Sequence, residues 1–285
     1  MKKSTNPLMQ LLVLAALALL MLVVSTVFSI LISLAGVNIA EKPGLLWIQA
    51  ITQVLTMGVP VLIVGVLYYR GSLKAFLRLD FGGDKWIDAL TGVVVMLLLV
   101  PCIEWLTEWN DGWNLGSFGE MLRSLQNQTE GIVEDFMETG TVGGLLANLL
   151  VVALVPAVCE ELFFRCGVQN LLQRSIRNPH WAVLIAAAVF SLIHGEIFSF
   201  MPRFVLGLLL GYMYVYSGSA LPNMVAHFTN NAIVVLLYWL SVRGVIDIDP
   251  EAPVDFGWLA TVCCLLAAAA LFVVSFVKRQ KTSKQ

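Results

Sequence analysis

Residues 142–165 read VGGLLANLLVVALVPAVCEELFFR, an apolar run that ends in two adjacent carboxylates and an arginine. An apolar run of about 20 residues is long enough to span the hydrocarbon core of a bilayer as an α-helix. Within a bilayer only helices and closed barrels satisfy all their backbone hydrogen bonds, and this run lacks the short alternating segments of a barrel. The stretch therefore predicts a transmembrane helix that contains charged side chains.

The composition of the whole chain agrees with this interpretation. Its 285 residues are 59% apolar and only 13% charged, with a mean hydropathy of +0.84, whereas soluble domains carry about a quarter charged residues. The net charge of −2 provides no basic surface that could follow a phosphate backbone. These values exclude a soluble enzyme, a disordered chain and a nucleic-acid-binding protein. They favour an integral membrane protein whose immediate partner is the lipid bilayer.

The same length criterion predicts an all-α, polytopic membrane bundle of about eight transmembrane helices. We expect a single integral membrane domain over residues 1–285, because no internal repeat or low-complexity segment divides it. The first apolar run is too long for the hydrophobic region of a signal peptide, so we expect it to be a retained span. The predicted spans cover residues 8–34, 45–69, 86–106, 142–164, 181–199, 203–218, 220–240 and 256–277.

An even number of spans places both termini on one side of the membrane. With the termini in the cytoplasm, thirteen of the seventeen lysines and arginines fall inside, which is the bias that the positive-inside rule describes. The inside residues are Lys2, Lys3, Arg70, Lys74, Arg78, Lys85, Arg165, Arg174, Arg177, Lys278, Arg279, Lys281 and Lys284, and the outside residues are Lys42, Arg123, Arg203 and Arg243. The compact loops and the short lysine-rich tail favour a bacterial cytoplasmic membrane.

One long connection, residues 107–140, is acidic and falls outside in this orientation. Its apolar residues recur at helical spacing, which predicts an extracytoplasmic amphipathic helix lying on the membrane surface. A lid or a substrate-guiding element is the alternative role for this helix. The apolar residues are Phe118, Met121, Leu122, Leu125, Ile132, Val133, Phe136 and Met137.

Three charged residues, Glu160, Glu161 and Arg165, stand at the end of the fourth span. A charge at mid-membrane costs about 3 kcal/mol on insertion scales, so each one requires an explanation. Residues four apart share a helix face, whereas adjacent residues diverge by about 100°. We therefore expect Glu161 to pair with Arg165, which leaves Glu160 available for proton transfer or ligation. The alternative is a structural ion pair that locks two helices, with Glu160 protonated.

Two histidines supply matching chemistry on later spans. His194 follows Phe190 by one helical turn on the fifth span, and His227 precedes Asn231 by one turn on the seventh. Three spans that each bring a residue able to move protons or orient water predict an active site assembled within a bundle. We expect Glu160 to take a proton from a water molecule that His194 orients. His227 and Asn231 then stabilise the oxyanion of a peptide bond undergoing hydrolysis.

The same side chains admit a second version of this chemistry, in which Glu160, His194 and His227 hold Zn²⁺ with an open coordination position. The His-Glu-x-x-His helix that commonly supplies such a site is absent from the sequence. We therefore favour no metal or other cofactor, and zinc stays the alternative. No Gly-x-Ser-x-Gly segment supports a serine nucleophile.

The order and spacing of these residues resemble the CPBP family, the CAAX-prenyl-protease-like and bacteriocin-processing intramembrane proteases also called the Abi family. The resemblance lies in Glu160-Glu161-x-x-x-Arg165, Phe190-x-x-x-His194 and His227-x-x-x-Asn231, within a core of residues 142–240. It implies an intramembrane endopeptidase that acts on a membrane-associated peptide or protein, with bacteriocin maturation or self-immunity as the bacterial setting. The catalytic residues that it implies are Glu160 as base, His194 for the water, and His227 and Asn231 for the oxyanion, with Glu161, Arg165 and Phe190 in support.

A rival interpretation is a non-catalytic membrane protein, either an immunity or scaffold factor or a transporter that uses Glu160 as a proton relay. No inverted repeat with broken helices supports the transporter. The histidines provide a geometric test, because the helical rise places His227 about 10 Å and His194 about 20 Å from the cytoplasmic end of its span. Helix tilt or a later start of the span that carries His194 must bring them together, and we expect a water-filled cavity open to the cytoplasmic half.

Overall fold

The computed structural model describes residues 6–36, 41–80, 82–247 and 254–278, and every regular element in these ranges is helical. The predicted all-α fold class is confirmed. The α-helices are α1 (Pro7–Leu34), α2 (Lys42–Gln53), α3 (Val59–Tyr69), α4 (Leu73–Leu77), α5 (Lys85–Asp111), α6 (Gly116–Met137), α7 (Val142–Asn148), α8 (Val155–Glu161), α9 (Asn170–Ile176), α10 (Pro179–Ile193), α11 (Phe200–Ser217), α12 (Leu221–Val242) and α13 (Trp258–Phe272). Shorter π-helical segments lie at Val54–Gly58, Leu149–Leu154, Leu162–Gln169 and Val273–Lys278, and a 3₁₀ turn at Ile197–Ser199 precedes α11. The chain-end residues of the orientation prediction, Lys2, Lys3, Arg279, Lys281 and Lys284, lie outside the described residues.

Seven helical segments in the described part of the chain are long and apolar enough to cross a membrane. They are Pro7–Leu34, Gly44–Tyr69, Lys85–Asp111, Val142–Ile176, Ile197–Ser217, Leu221–Val242 and Trp258–Phe276. The chain is thus an integral membrane protein, as its composition indicates. The remaining predicted span, 181–199, is instead the shorter apolar helix α10, which ends at Ile193.

The early end of α10 has a local cause in the backbone. Gly195 adopts a φ of +74°, a conformation that glycine takes without steric penalty and that ends a helix. The chain then returns as α11, and Gly207 lets this helix approach α10 so closely that a Cβ there would lie 3.1 Å from Ala187. The two helices therefore form a hairpin that carries His194 at its turn.

The part of the chain from α8 to α9 is mostly buried within the bundle. Phe164 is fully buried, and its ring packs edge to face against Phe190 of α10, with centroids 5.0 Å apart. π-helical segments precede and follow α8, next to the paired glutamates, and such interruptions of the α-helical ladder are frequent at functional sites. Gly92 of α5 packs against α12, where a Cβ would lie 3.0 Å from that of Ala226. These contacts hold the helices that carry the sequence motifs.

The acidic connection forms α6, as the helical spacing of its apolar residues predicts. Gln126 of α6 is bonded to the turn that precedes α11, since its Oε1 accepts from the amide of Phe198 at 3.3 Å and its Nε2 donates to Ser199 Oγ at 3.3 Å. The guanidinium of Arg123 lies over the Phe198 ring, 3.9 Å from the centroid. α6 is therefore attached to the segment that follows His194.

Candidate active site

The predicted pair of Glu161 and Arg165 is formed and completely buried. Arg165 Nε donates to Glu161 Oε2 at 2.9 Å, and neither side chain has exposed surface. The other oxygen, Glu161 Oε1, lies 3.1 Å from Nδ1 of His227 on α12. Because a carboxylate paired with an arginine only accepts hydrogen bonds, Nδ1 of His227 carries the proton in this contact. Glu161 thus holds the arginine and also fixes the orientation of the histidine ring.

Phe190 packs against both histidines and against Arg165 of the ion pair. Its ring centroid is 4.9 Å from that of His194 and 6.0 Å from that of His227. Its face is 5.8 Å from Arg165 Cζ. Arg165 Nη1 and Nη2 are buried without a hydrogen-bond partner among the described residues, so the contact with the aromatic face offsets part of this missing polar interaction. Phe190 therefore joins two histidines that the helical rise alone places at different depths.

Glu160 contacts other helices rather than Arg165. Gln53, the last residue of α2, donates from Nε2 to Glu160 Oε1 at 2.7 Å. The other oxygen, Glu160 Oε2, lies 3.8 Å from His227 Nε2. Gln53 is absent from the sequence prediction, although Gln49 and Gln53 form a polar pair four residues apart inside an apolar span. Polar residues in a membrane span carry a free-energy cost and therefore call for an explanation. The pair of glutamines is thus the sequence signal from which this part of the site could have been predicted.

His194 is the first residue after α10, and the end of that helix fixes its ring. The ring Nδ1 lies 2.7 Å from the backbone carbonyl oxygen of Phe190. A carbonyl oxygen only accepts, so Nδ1 carries a hydrogen and Nε2 has the lone pair of the neutral ring. This arrangement suits Nε2 to accept a hydrogen bond from a water molecule.

One cavity of about 320 Å³ brings the predicted catalytic residues together. Its polar lining consists of Gln49, Glu160, His194, Arg203, His227, Asn230 and Asn231, and Phe190 lies among its apolar residues. Oδ1 of Asn231 accepts from Asn230 Nδ2 at 3.3 Å, so the amide hydrogens are what Asn231 offers to another group. The four side chains predicted to be catalytic, on α8, α12 and at the end of α10, therefore face one space.

The cavity lies at the α6 end of the bundle. Val133 and Met137 of α6 form part of its wall, together with Arg203 near the beginning of α11. In the predicted orientation this end lies in the outer half of the membrane, whereas the expected opening is toward the cytoplasmic half. The physical reason is the length of α10, because this helix stops at Ile193 and the space beyond its end extends to α6.

The described residues contain no group of three or more His, Cys, Asp and Glu side chains arranged to hold a metal ion. Among the three residues of the zinc alternative, Glu160 and His227 are close to each other. His194 donates its Nδ1 hydrogen to the Phe190 carbonyl, a bond that commonly orients metal-ligating histidines, and its Nε2 keeps the lone pair that a ligand needs. Nε2 is thus the atom of His194 through which the zinc alternative would act.

Residues 142–233 match the family model described as Rce1-like, type II CAAX prenyl endopeptidase Rce1-like. The matched segment runs from the beginning of α7 into α12 and contains all seven residues of the three sequence motifs. No curated protein and no solved structure matches the chain. The match supports the family that the motifs predict, whereas α1–α6, including Gln49 and Gln53, lie outside it.

Proposed function

Residues 142–233 belong to the CAAX protease family, and from this premise we propose that the chain is an intramembrane endopeptidase. Its substrates are membrane-associated peptides or proteins, and the nucleophile is a water molecule activated by Glu160. The observation that carries the proposal is the single cavity lined by Glu160, His194, His227 and Asn231 within a bundle of membrane-spanning length.

The proposed mechanism begins with a water molecule between Glu160 and His227. Glu160 Oε2 and His227 Nε2 are 3.8 Å apart, a separation at which one water can bond to both at about 2.8 Å each. Glu160 takes a proton from this water while its oxygen attacks the carbonyl carbon of the scissile peptide bond. Nε2 of His194 accepts a hydrogen bond from the second hydrogen of the water, which stays on the oxygen, and so orients the attacking lone pair. The proton on Glu160 then passes to the leaving nitrogen as the C–N bond breaks.

His227 and Asn231 stabilise the oxyanion in this proposal. With His227 as an imidazolium, its charge and that of Arg165 balance the two buried carboxylates, Glu160 and Glu161. Glu161 holds the Nδ1 hydrogen, so the Nε2 hydrogen is directed toward the water and then toward the developing oxyanion. The amide of Asn231, one helical turn further along α12, is the second donor.

For the membrane we propose a bacterial cytoplasmic membrane with both termini in the cytoplasm. The basic residues near the ends of the described helices support this orientation, because more of them lie at one end of the bundle (Arg70, Lys74, Arg78, Lys85, Arg174 and Arg177) than at the other (Lys42, Arg123, Arg203 and Arg243). The cavity and α6 then face the outer half of the membrane. A fluorescent protein that folds only in the cytoplasm, fused to the C-terminus, tests this orientation, and a dark fusion with an intact chain contradicts it.

The decisive experiment is cleavage of a library of membrane-anchored, internally quenched peptides by the purified protein in lipid vesicles. We expect Glu160→Gln to lower kcat by about 10²–10⁴-fold, since it removes the general base, and Asn231→Ala to lower it by about 10²–10³-fold. His180→Ala is the matched control, because this exposed histidine contacts Tyr212 and does not line the cavity.

Two outcomes oppose the proposal in different ways. Full activity of both Glu160→Gln and His227→Ala contradicts catalysis at this site and favours the immunity or scaffold alternative, which does not need the acids. Loss of cleavage in a chelator, restored by added zinc, retains the protease but replaces the metal-free mechanism with the zinc alternative.

A further inference from the structure

Two glutamines on α2 face the site from outside the segment that matches the protease family. Gln49 and Gln53 are four residues apart and therefore share one face of the helix. Gln53 bonds to Glu160 at 2.7 Å, and Gln49 lines the cavity that also contains His194 and His227. The sequence motifs assign neither glutamine a role.

Gln53 determines which oxygen of Glu160 is available for chemistry. Its Nε2 donates to Oε1, and so it leaves Oε2 directed at His227 Nε2. The position of Gln53 is itself fixed, because α2 passes directly into the π-helical segment Val54–Gly58. Within that segment Gly58 packs against α8, where a Cβ would lie 3.6 Å from Cys159 Sγ. An amide donor in this place orients the carboxylate without adding a charge to a buried site.

Gln49 presents an acceptor that has no donor. Its Oε1 is buried and accepts no hydrogen bond within the described residues, an arrangement that costs free energy and is rare in folded proteins. The side chain belongs to the cavity wall, so a molecule that enters the cavity can supply the missing donor. The donor that every unfolded peptide segment carries is the backbone N–H, since an extended strand leaves it unpaired.

We propose that α2 provides two parts of the active site, with Gln53 as the positioning residue for Glu160 and Gln49 as the acceptor for a backbone N–H of the substrate. This inference rests on the proposed endopeptidase function and specifies its substrate class. The substrate enters as an extended segment with a free N–H close to the scissile bond. A proline or an N-methylated residue at that one position does not bind well.

The two glutamines give a matched pair of variants, because they are the same residue type one turn apart on one helix. For the peptide that the wild-type protein cleaves fastest, Gln49→Leu raises KM by about threefold to tenfold, the effect of one hydrogen bond, with little change in kcat. Gln53→Leu lowers kcat by about 10²-fold with little change in KM, because a misoriented base loses its geometry. Gln173→Leu on α9, which is outside the cavity lining, leaves both constants unchanged and controls for the loss of a glutamine.

Two further measurements separate these roles from a structural effect. The infrared spectrum of each protein, minus the spectrum of the same protein with Glu160→Gln added, gives the carboxylate bands of Glu160. We expect these bands to shift in Gln53→Leu but not in Gln49→Leu. N-methylation of the peptide, scanned residue by residue, raises KM at one position in the wild-type protein. That increase disappears in Gln49→Leu, because the two changes remove the same hydrogen bond.

The failures are distinguishable. Unchanged carboxylate bands in Gln53→Leu overturn its positioning role, whether or not any peptide is cleaved, and an unchanged kcat overturns it where cleavage is measured. An N-methyl effect that persists in Gln49→Leu, or a KM equal to that of the wild-type protein, overturns the role of Gln49 while the endopeptidase stands. Absence of cleavage of every peptide by the wild-type protein overturns the proposed function, and the role of Gln49 with it.

Discussion

Removing Arg165 while keeping Glu161 tests the buried ion pair most directly. The two side chains meet at 2.9 Å with no exposed surface, and breaking a buried pair by removing one partner costs about 3–5 kcal/mol of unfolding free energy. We expect Arg165→Met to fall at the lower end of this range, because Glu161 retains the bond from His227 Nδ1. We expect the loss of unfolding free energy in Glu161→Gln to lie at the upper end of the range. Arg165 already has two buried nitrogens without partners among the described residues, and this substitution also removes its counter-charge.

The double variant distinguishes the charge from the packing. In Glu161→Gln/Arg165→Met no uncompensated charge remains in the pair, so we expect it to be more stable than either single variant. The assay is the apparent melting temperature in detergent or vesicles, where the single variants lower Tm by roughly 6–15 °C for a chain of this size. The double variant still loses kcat, because the neutral amide that replaces the Glu161 carboxylate no longer balances the charge on His227.

An exposed ion pair between α5 and α6 supplies the control. Arg123 and Asp111 meet at 2.5 Å, with 38% and 58% of their side chains exposed, and exposed pairs contribute about 0–1 kcal/mol. Arg123→Met therefore changes Tm by far less than Arg165→Met. The reasoning is refuted if these two variants shift Tm equally, or if the double variant loses as much stability as the two single variants together.

Three further predictions follow from contacts around the cavity. Phe190→Ala lowers the free energy of unfolding by about 3–5 kcal/mol and abolishes cleavage, whereas Phe190→Leu retains part of the stability and of the activity. Equal activity in Phe190→Ala and the wild-type protein contradicts the role of Phe190 in joining the two histidines. Gly207→Val forces α10 and α11 apart at Ala187, so Tm and kcat fall together, and a normal kcat shows that the hairpin does not position His194. Gln126→Ala releases α6 from the segment after His194 and changes KM more than Tm; an unchanged KM excludes α6 from substrate access.

The sequence predicted the features that depend on neighbours along one helix. The pair of Glu161 and Arg165 follows from the spacing of four residues, and α6 follows from the periodicity of its apolar side chains. The bonds from Gln53 to Glu160 and from His227 to Glu161 join residues far apart in the chain. No periodicity encodes such contacts, because they depend on how the helices pack.

The early end of α10 also escaped the sequence prediction for a physical reason. Apolar residues resume at Ile197 after the three residues His194, Gly195 and Glu196, so an apolar window that averages over this interruption does not register the end of the helix. The sequence signal for the end of the helix is Gly195. In the structure this residue adopts a φ of +74°, and the chain turns there. A glycine immediately after a histidine in such a run is therefore a useful marker for a helix that stops inside the membrane.

The short α10 implies a hydrophobic mismatch with the surrounding lipid. Its 15 residues span about 22 Å at the helical rise, roughly 8 Å less than the hydrocarbon core of a typical bilayer. Lipids accommodate a short segment by thinning locally, whereas α1, with 28 residues, requires no such adjustment. The bilayer beside α10 is therefore expected to be dimpled on the α6 side. Such a dimple shortens the apolar path that water and a polar peptide backbone must cross to reach the depth of His194.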